Sequence, residues 1–152
     1  MNLNDVKIIA VSLMKQHNLL QKGWRFEFDN AKKRFGCCYY YERKITLSSE
    51  LCKLNDESHI RDTILHEIAH ALVGVGHGHD AVWKRKAIEI GCNGKRCYDS
   101  SKTNNVKAPY TANCSTCGKE YRRFRKPSSI HSCGKCCSTY NEKYKLVWQK
   151  NN

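Results

Sequence analysis

The stretch DTILHEIAHALVGVGHGHDAVW, from Asp62 to Trp83, decides how the first part of the chain folds. Ile60, Ile64, Ile68 and Leu72, with Ala71, recur at helical spacing, so a helix with this stripe buried is expected from about Ser58 to Val73. His66-Glu67-Ile68-Ala69-His70, an HExxH pattern, lies on that helix. Residues four apart on a helix are rotated by about 400° and nearly eclipse, so His66 and His70 can direct two imidazoles at one ion. Glu67 follows the first of them, where its carboxylate reaches a water beside that ion. The run Gly74-Val75-Gly76-His77-Gly78 ends the helix, and Ala81 to Ile90, closed by Gly91, reads as the next one.

A catalytic zinc takes three protein ligands and keeps one position open. The metzincin pattern would place its third histidine at position 76, where Gly76 stands, so that class is excluded. His77 and His79 remain. His79 adjoins the next helix, a rigid element able to fix it, whereas His77 lies between two glycines. His79 is the preferred third ligand, and His77 is left as an assisting or replacing group. The ordinary alternative is two histidines on a solvated helix face; the buried stripe and an available third histidine stand against it.

Upstream of this helix, residues 4–21 read as an amphipathic helix capped by Asn4 and ended by Gly23, with Val6, Ile9, Ala10, Leu13 and Leu20 on its stripe. Trp24, Phe26 and Phe28 alternate with Arg25 and Glu27 in a half-buried strand. Phe35–Tyr41 and Lys44–Leu47 are further strands, and Ser48 or Ser49 caps a short helix over Glu50–Leu54. The expected fold class is α+β: a small antiparallel sheet packed with helices, including the zincin-type helix, followed by a small C-terminal zinc ribbon.

The ribbon follows from Cys114-Ser-Thr-Cys117 and Cys133-Gly-Lys-Cys136, two CxxC knuckles fifteen residues apart. Each knuckle sets two thiolates on one turn, with Gly118 and Gly134 permitting the turn backbone, and four thiolates make a tetrahedral structural zinc site. Cys137 and His131 are less well spaced substitutes. Cys37, Cys38, Cys52, Cys92 and Cys97 form no metal-binding pair and are expected as buried thiols. With no secretory leader expected, ten cysteines in 152 residues point to metal rather than disulfides. No apolar run approaches the roughly 18 residues of a membrane span.

The net charge of +13 is unevenly placed: residues 105–152 hold 10 basic and 2 acidic residues, against 17 and 12 in residues 1–104. Such a balance suits a polyanionic partner. Lys119, Arg122, Arg123, Arg125 and Lys126 are interleaved with Tyr121 and Phe124. Here cations meet phosphates, and the aromatics either stack on unpaired bases or pack the ribbon. The domains expected are residues 1–98, a polar linker over 99–109, and a basic ribbon over 110–150.

The run from Asp62 to Trp83 resembles the SprT/Spartan (SprT-like) family of zinc-dependent, DNA-associated metalloproteases. In that family an HExxH helix leads into a short glycine- and histidine-rich loop, and a third histidine opens a segment ending in Trp or Phe. His66, His70 and His79 match the ligand positions, Glu67 the catalytic glutamate and Trp83 the later aromatic. Gly23-Trp24, Gly36-Cys37 and Ile45-Thr46-Leu47-Ser48 fit the pattern upstream, so the resemblance covers roughly residues 1–92. The short loop between His70 and His79 is closer to the compact microbial form than to the eukaryotic one, and relatives often carry a C-terminal zinc ribbon.

What the resemblance implies is a metalloendopeptidase that acts with DNA stimulation on proteins bound or crosslinked to DNA, single-stranded DNA included. One Zn²⁺ would be catalytic and one structural, and Glu67 would be the general base. Tyr39, Tyr40, Tyr41 and His77 are the candidates for the group that steadies the oxyanion. The chain is expected as a monomer inside a cell, with DNA and away from membranes, in a bacterial or host cytoplasm or nucleoid, or in a nucleus. Two other readings compete: a non-catalytic nucleic-acid-binding zinc protein whose HExxH site is structural, and a zinc peptidase with an unrelated soluble substrate, which the basic ribbon disfavours.

Overall fold

The computed structural model describes residues 1–96 and 103–151, which fall into two compact units, Met1–Val106 and Lys107–Asn152. The first unit opens with α1 (Leu3–Gln16). Asn2 rather than Asn4 caps it, its side-chain oxygen accepting from the Asn4 backbone N–H at 2.8 Å. The helix stops earlier than residue 21, because Asn18 takes a φ of 58°, a left-handed conformation that asparagine tolerates better than most residues. Leu20–Lys22 then form a single 3₁₀ turn, closed by Gly23 at φ 79°.

Three strands follow: β1 (Arg25–Asp29), β2 (Gly36–Tyr39) and β3 (Lys44–Ser48), in the spatial order β1-β3-β2. β2 and β3 form an antiparallel hairpin with Gly36 opposite Leu47, whereas β1 runs parallel to β3 with Phe26 beside Ile45. The sheet is therefore mixed, not purely antiparallel as expected. The reason is burial. Ile45 and Leu47 are fully buried, so β3 takes the central position, while β1 and β2, only half-buried, take the edges.

Ser48 Oγ accepts from Leu51 N–H at 3.1 Å and starts α2 (Ser49–Leu54). Asp56 starts α3 (Glu57–Val73) by accepting from His59 N–H at 2.9 Å. Gly74, at φ 84°, ends α3, and Asp80 starts α4 (Ala81–Glu89). Most of the stripe of α3 is buried: Ile60, Ile64 and Ile68 are fully covered, in one core with Val6, Ala10 and Met14 of α1, Ile45 and Leu47 of β3, and Trp83 of α4, whereas Ala71 and Leu72 near the helix end are only half-buried. The helix bearing the histidines is thus held by helices and sheet together.

The expected linker is not uniform. Its residues 99–102 lie outside the described residues, as does Cys97. Asn104, in contrast, exchanges two 2.9 Å hydrogen bonds with Asn55, and Val106 packs on the first core.

The second unit is a small antiparallel sheet of β4 (Tyr110–Asn113), β5 (Glu120–Arg123) and β6 (Gln149–Lys150), in the order β5-β4-β6. Its core is formed by Ala112, Cys114, Cys133 and Leu146, flanked by Tyr121, Tyr144 and Trp148. So small a core needs a staple. Among the described residues, no helix is long and apolar enough to cross a membrane.

Candidate metal centre

His66 and His70 project from one face of α3, and His79 comes from the loop just before the cap of α4. Their Nε2 atoms lie 3.3 Å (His66–His70), 3.2 Å (His70–His79) and 2.9 Å (His66–His79) apart. Nitrogens bound tetrahedrally at about 2.0–2.1 Å from one zinc sit about 3.3 Å from each other, so the three fit a single ion. Burial, reinforced by the neighbouring imidazoles, pushes His66 down to about 3 and His70 to about 4, and burial lowers His79 as well. All three are thus neutral near pH 7, as metal ligands must be.

The indole of Trp83 backs the triad. It stacks on His70 at 5.2 Å and lies 4.6 Å from both His66 and His79. Only 1% of Trp83 is exposed. His77 stays outside the triad, since its Nδ1 donates to Asp80 Oδ2 at 2.8 Å. Asp80 also accepts from Trp83 N–H at 2.9 Å, so one carboxylate fixes both the loop and the start of α4.

Glu67 lines the same cleft as the triad, a cavity of about 460 Å³. It is buried, and that burial pushes its carboxyl up to about 8 in the metal-free chain, against a smaller opposing effect of Arg34. Gly36 lies directly against it: a Cβ on Gly36 would sit 2.7 Å from Glu67 Oε1 and 2.8 Å from its Cγ. Of the four groups considered for the oxyanion, Tyr40 alone lines the cleft. Its hydroxyl lies 3.4 Å from His70 Nδ1. Tyr39 accepts from Arg34 Nη2 at 3.3 Å, Tyr41 is 93% exposed, and His77 is held by Asp80.

Cys52 and Cys92 are buried as expected, but Cys37 and Cys38 are only half-buried and line the cleft, because β2 is an edge strand. Burial pushes Cys38 up to about 12 and raises Cys37 too, so both stand as neutral thiols. Gly36, Arg34, Lys95 and Arg96 also line the cleft; Gly36 belongs to the Gly36-Cys37 pair that fits the family pattern, whereas no motif in the sequence announces Arg34, Lys95 or Arg96 there.

In the second unit, Cys114, Cys117, Cys133 and Cys136 bring their sulfurs within 4.8 Å of one another. Cys114 and Cys136 are 3.8 Å apart and Cys117 and Cys133 3.6 Å. Sulfurs at about 2.3 Å from a tetrahedral zinc are about 3.8 Å apart, so this group too can hold a metal ion. The Tyr121 hydroxyl, 3.1 Å from Cys133 Sγ, holds that thiol below its ordinary range and favours the thiolate. That contact gives Tyr121 a packing role. Cys137 turns away, donating to Ser132 Oγ and Cys133 O at 3.3 Å, and His131 is bonded to Ser129 O at 2.7 Å. Of the two turn glycines, only Gly118 uses a left-handed φ, 69°.

Lys119, Arg122, Arg123, Arg125 and Lys126 are all exposed. Arg122 pairs with Glu120, Arg123 lies over Trp148 at 5.4 Å and Lys119 over Tyr121 at 5.1 Å.

A core helix carrying two imidazoles, a third from the following loop and a buried acid beside them form a group that could hold a metal ion on an α+β scaffold. The model of the SprT-like family matches residues 9–105, and the chain belongs to the SprT-like family. No curated protein matches it.

Proposed function

We propose that the chain is a zinc metalloendopeptidase of the SprT/Spartan type, cutting proteins bound or crosslinked to DNA, with DNA stimulating the cleavage. The observation that carries the reading is the convergence of three neutral imidazoles in one cleft with a buried carboxyl. A purely structural metal site has no use for an acid beside it or for an open cleft in front of it.

His66, His70 and His79 would hold the catalytic zinc, and Cys114, Cys117, Cys133 and Cys136 the structural one. When bound, zinc supplies a Lewis acid for the scissile carbonyl and for water. Glu67 accepts the proton of the attacking water and hands it to the departing amine. Tyr40 donates its hydroxyl to the carbonyl oxygen as negative charge develops there. Trp83 keeps the three imidazoles from tilting, and Gly36 leaves room for the Glu67 carboxylate. The outer edge of β2 pairs with no strand among the described residues, so an extended substrate can add along it by backbone hydrogen bonds.

The basic ribbon residues Lys119, Arg122, Arg123, Arg125 and Lys126 would bind DNA, single strands included. Tethering the protease to DNA raises the effective concentration of whatever protein the DNA carries. On this reading the monomer works wherever the cell's DNA is. The test is cleavage of a DNA-crosslinked protein by the zinc-loaded chain, with and without added single-stranded DNA. The expected result is cleavage that DNA increases. Equal cleavage with and without DNA would leave a peptidase and remove the DNA part of the reading.

A further inference from the structure

Four cations line the cleft: Lys33 and Arg34 on the turn before β2, and Lys95 and Arg96 after α4. The carboxylates on the same walls are Asp62, which is hydrogen-bonded, and Glu67, which is buried. Asp62 accepts from the Asn93 backbone N–H at 2.8 Å and from its side-chain amide, and Glu67 is buried against Gly36. Arg34 is tied to Asp29 at 2.7 Å. Lys95 and Arg96 differ. Both are exposed, and among the described residues no carboxylate lies within ion-pair distance of either.

The loop that carries them is built, not slack. Asp62 clamps Asn93 to α3, and Asn93 Oδ1 accepts from Lys95 N–H at 2.7 Å. Gly94 takes a φ of 67°, and a Cβ there would lie 2.9 Å from Ile88. The backbone at Lys95 is therefore held, and the two cations line the same cleft as His66, Glu67, His70 and His79.

We infer that Lys95 and Arg96 form a subsite for an acidic side chain of the substrate polypeptide, so that sequences with Asp or Glu beside the scissile bond are preferred. The inference rests on the protease reading of the same cleft. A peptide suits the cleft better than nucleic acid does. Its volume is that of a pocket for a few side chains, and a phosphate backbone seated in it would displace the peptide from Glu67.

The test uses the zinc-loaded full chain carrying Glu67→Gln and two fluorescent peptides that differ only by Glu or Gln next to the central bond. The Glu peptide is expected to bind about five- to tenfold tighter at low salt. Adding Lys95→Gln and Arg96→Gln should reduce that preference below about twofold while the zinc content stays the same. Equal affinities in the parent, or no measurable binding of either peptide, overturn the subsite. So does displacement of the peptide by a thymidine oligonucleotide that is lost on adding Lys95→Gln and Arg96→Gln, because it assigns the two cations to nucleic acid. The parent reading is judged separately by the wild-type chain. Cleavage of both peptides at equal kcat/KM keeps the protease and removes the subsite, whereas zinc-loaded chain that cuts neither the peptides nor a protein crosslinked to single-stranded DNA removes the protease.

Discussion

Gly36 carries a hydrogen where any other residue would carry a carbon, and the difference reaches Glu67. With a Cβ placed 2.7 Å from Glu67 Oε1, Gly36→Ala must shift the carboxylate or the strand. Misplacing a reacting group by about 1 Å costs on the order of 10²-fold in rate. The expectation is a fall in kcat of that order with KM and zinc content little changed; a proportionate loss of zinc would show that the scaffold had moved instead. Glu67 itself sets a pH dependence in the metal-free chain. Its folded carboxyl is raised to about 8, so its contribution to stability is present below its ordinary range near 4.5 and is lost as pH rises through 8. Chelated Glu67→Gln should therefore melt higher than chelated wild type at pH 9, with the gap closing by pH 5. A gap of the same size at both pH values would contradict burial as the cause. His66 and His70 act in the opposite sense. Their folded values are depressed, so their contribution is present above 6.5 and is lost as pH falls toward 4 and 3.

At the scale of elements, α3 and α4 build the centre, and Trp83 joins them. Truncating a fully buried large aromatic costs about 3–5 kcal/mol, and here it also strips the backing from three imidazoles. Trp83→Ala should lower the urea midpoint of the chain and weaken zinc binding, measured with a competing chelator; unchanged zinc affinity would reduce Trp83 to a core residue. His79→Ala should abolish binding at the histidine centre, whereas His77→Ala should leave it, since His77 faces Asp80.

Much of this was legible in the sequence. The 3.6-residue stripe through Ile60, Ile64 and Ile68 located α3, and i,i+4 spacing paired His66 with His70. The CxxC knuckles brought four cysteines together. What periodicity could not convey was which strands neighbour one another. The parallel pairing of β1 with β3 depends on β3 being the most buried strand, a property of the assembled core rather than of any local pattern. The same long-range packing brings Gly36 of β2 against Glu67 of α3, and Lys95 and Arg96 into the cleft.

At the scale of the whole molecule, two units each hold a metal-ligand group: three histidines in Met1–Val106 and four cysteines in Lys107–Asn152. Two zinc ions per chain are expected by elemental analysis. If the ribbon holds DNA, neutralising Arg122, Arg123, Arg125 and Lys126 should change the log–log salt slope of single-strand binding by about 3, for about four lost phosphate contacts. An unchanged slope would take the ribbon out of the interface. One comparison decides whether the histidine centre and Glu67 form a peptidase. Zinc-loaded wild type and zinc-loaded Glu67→Gln are incubated with a protein crosslinked to single-stranded DNA, and the fragments are followed by gel and mass spectrometry. Fragments are expected from wild type and none from Glu67→Gln at equal zinc content; equal fragmentation by both, or none by fully loaded wild type, would mean that this centre is not a peptidase.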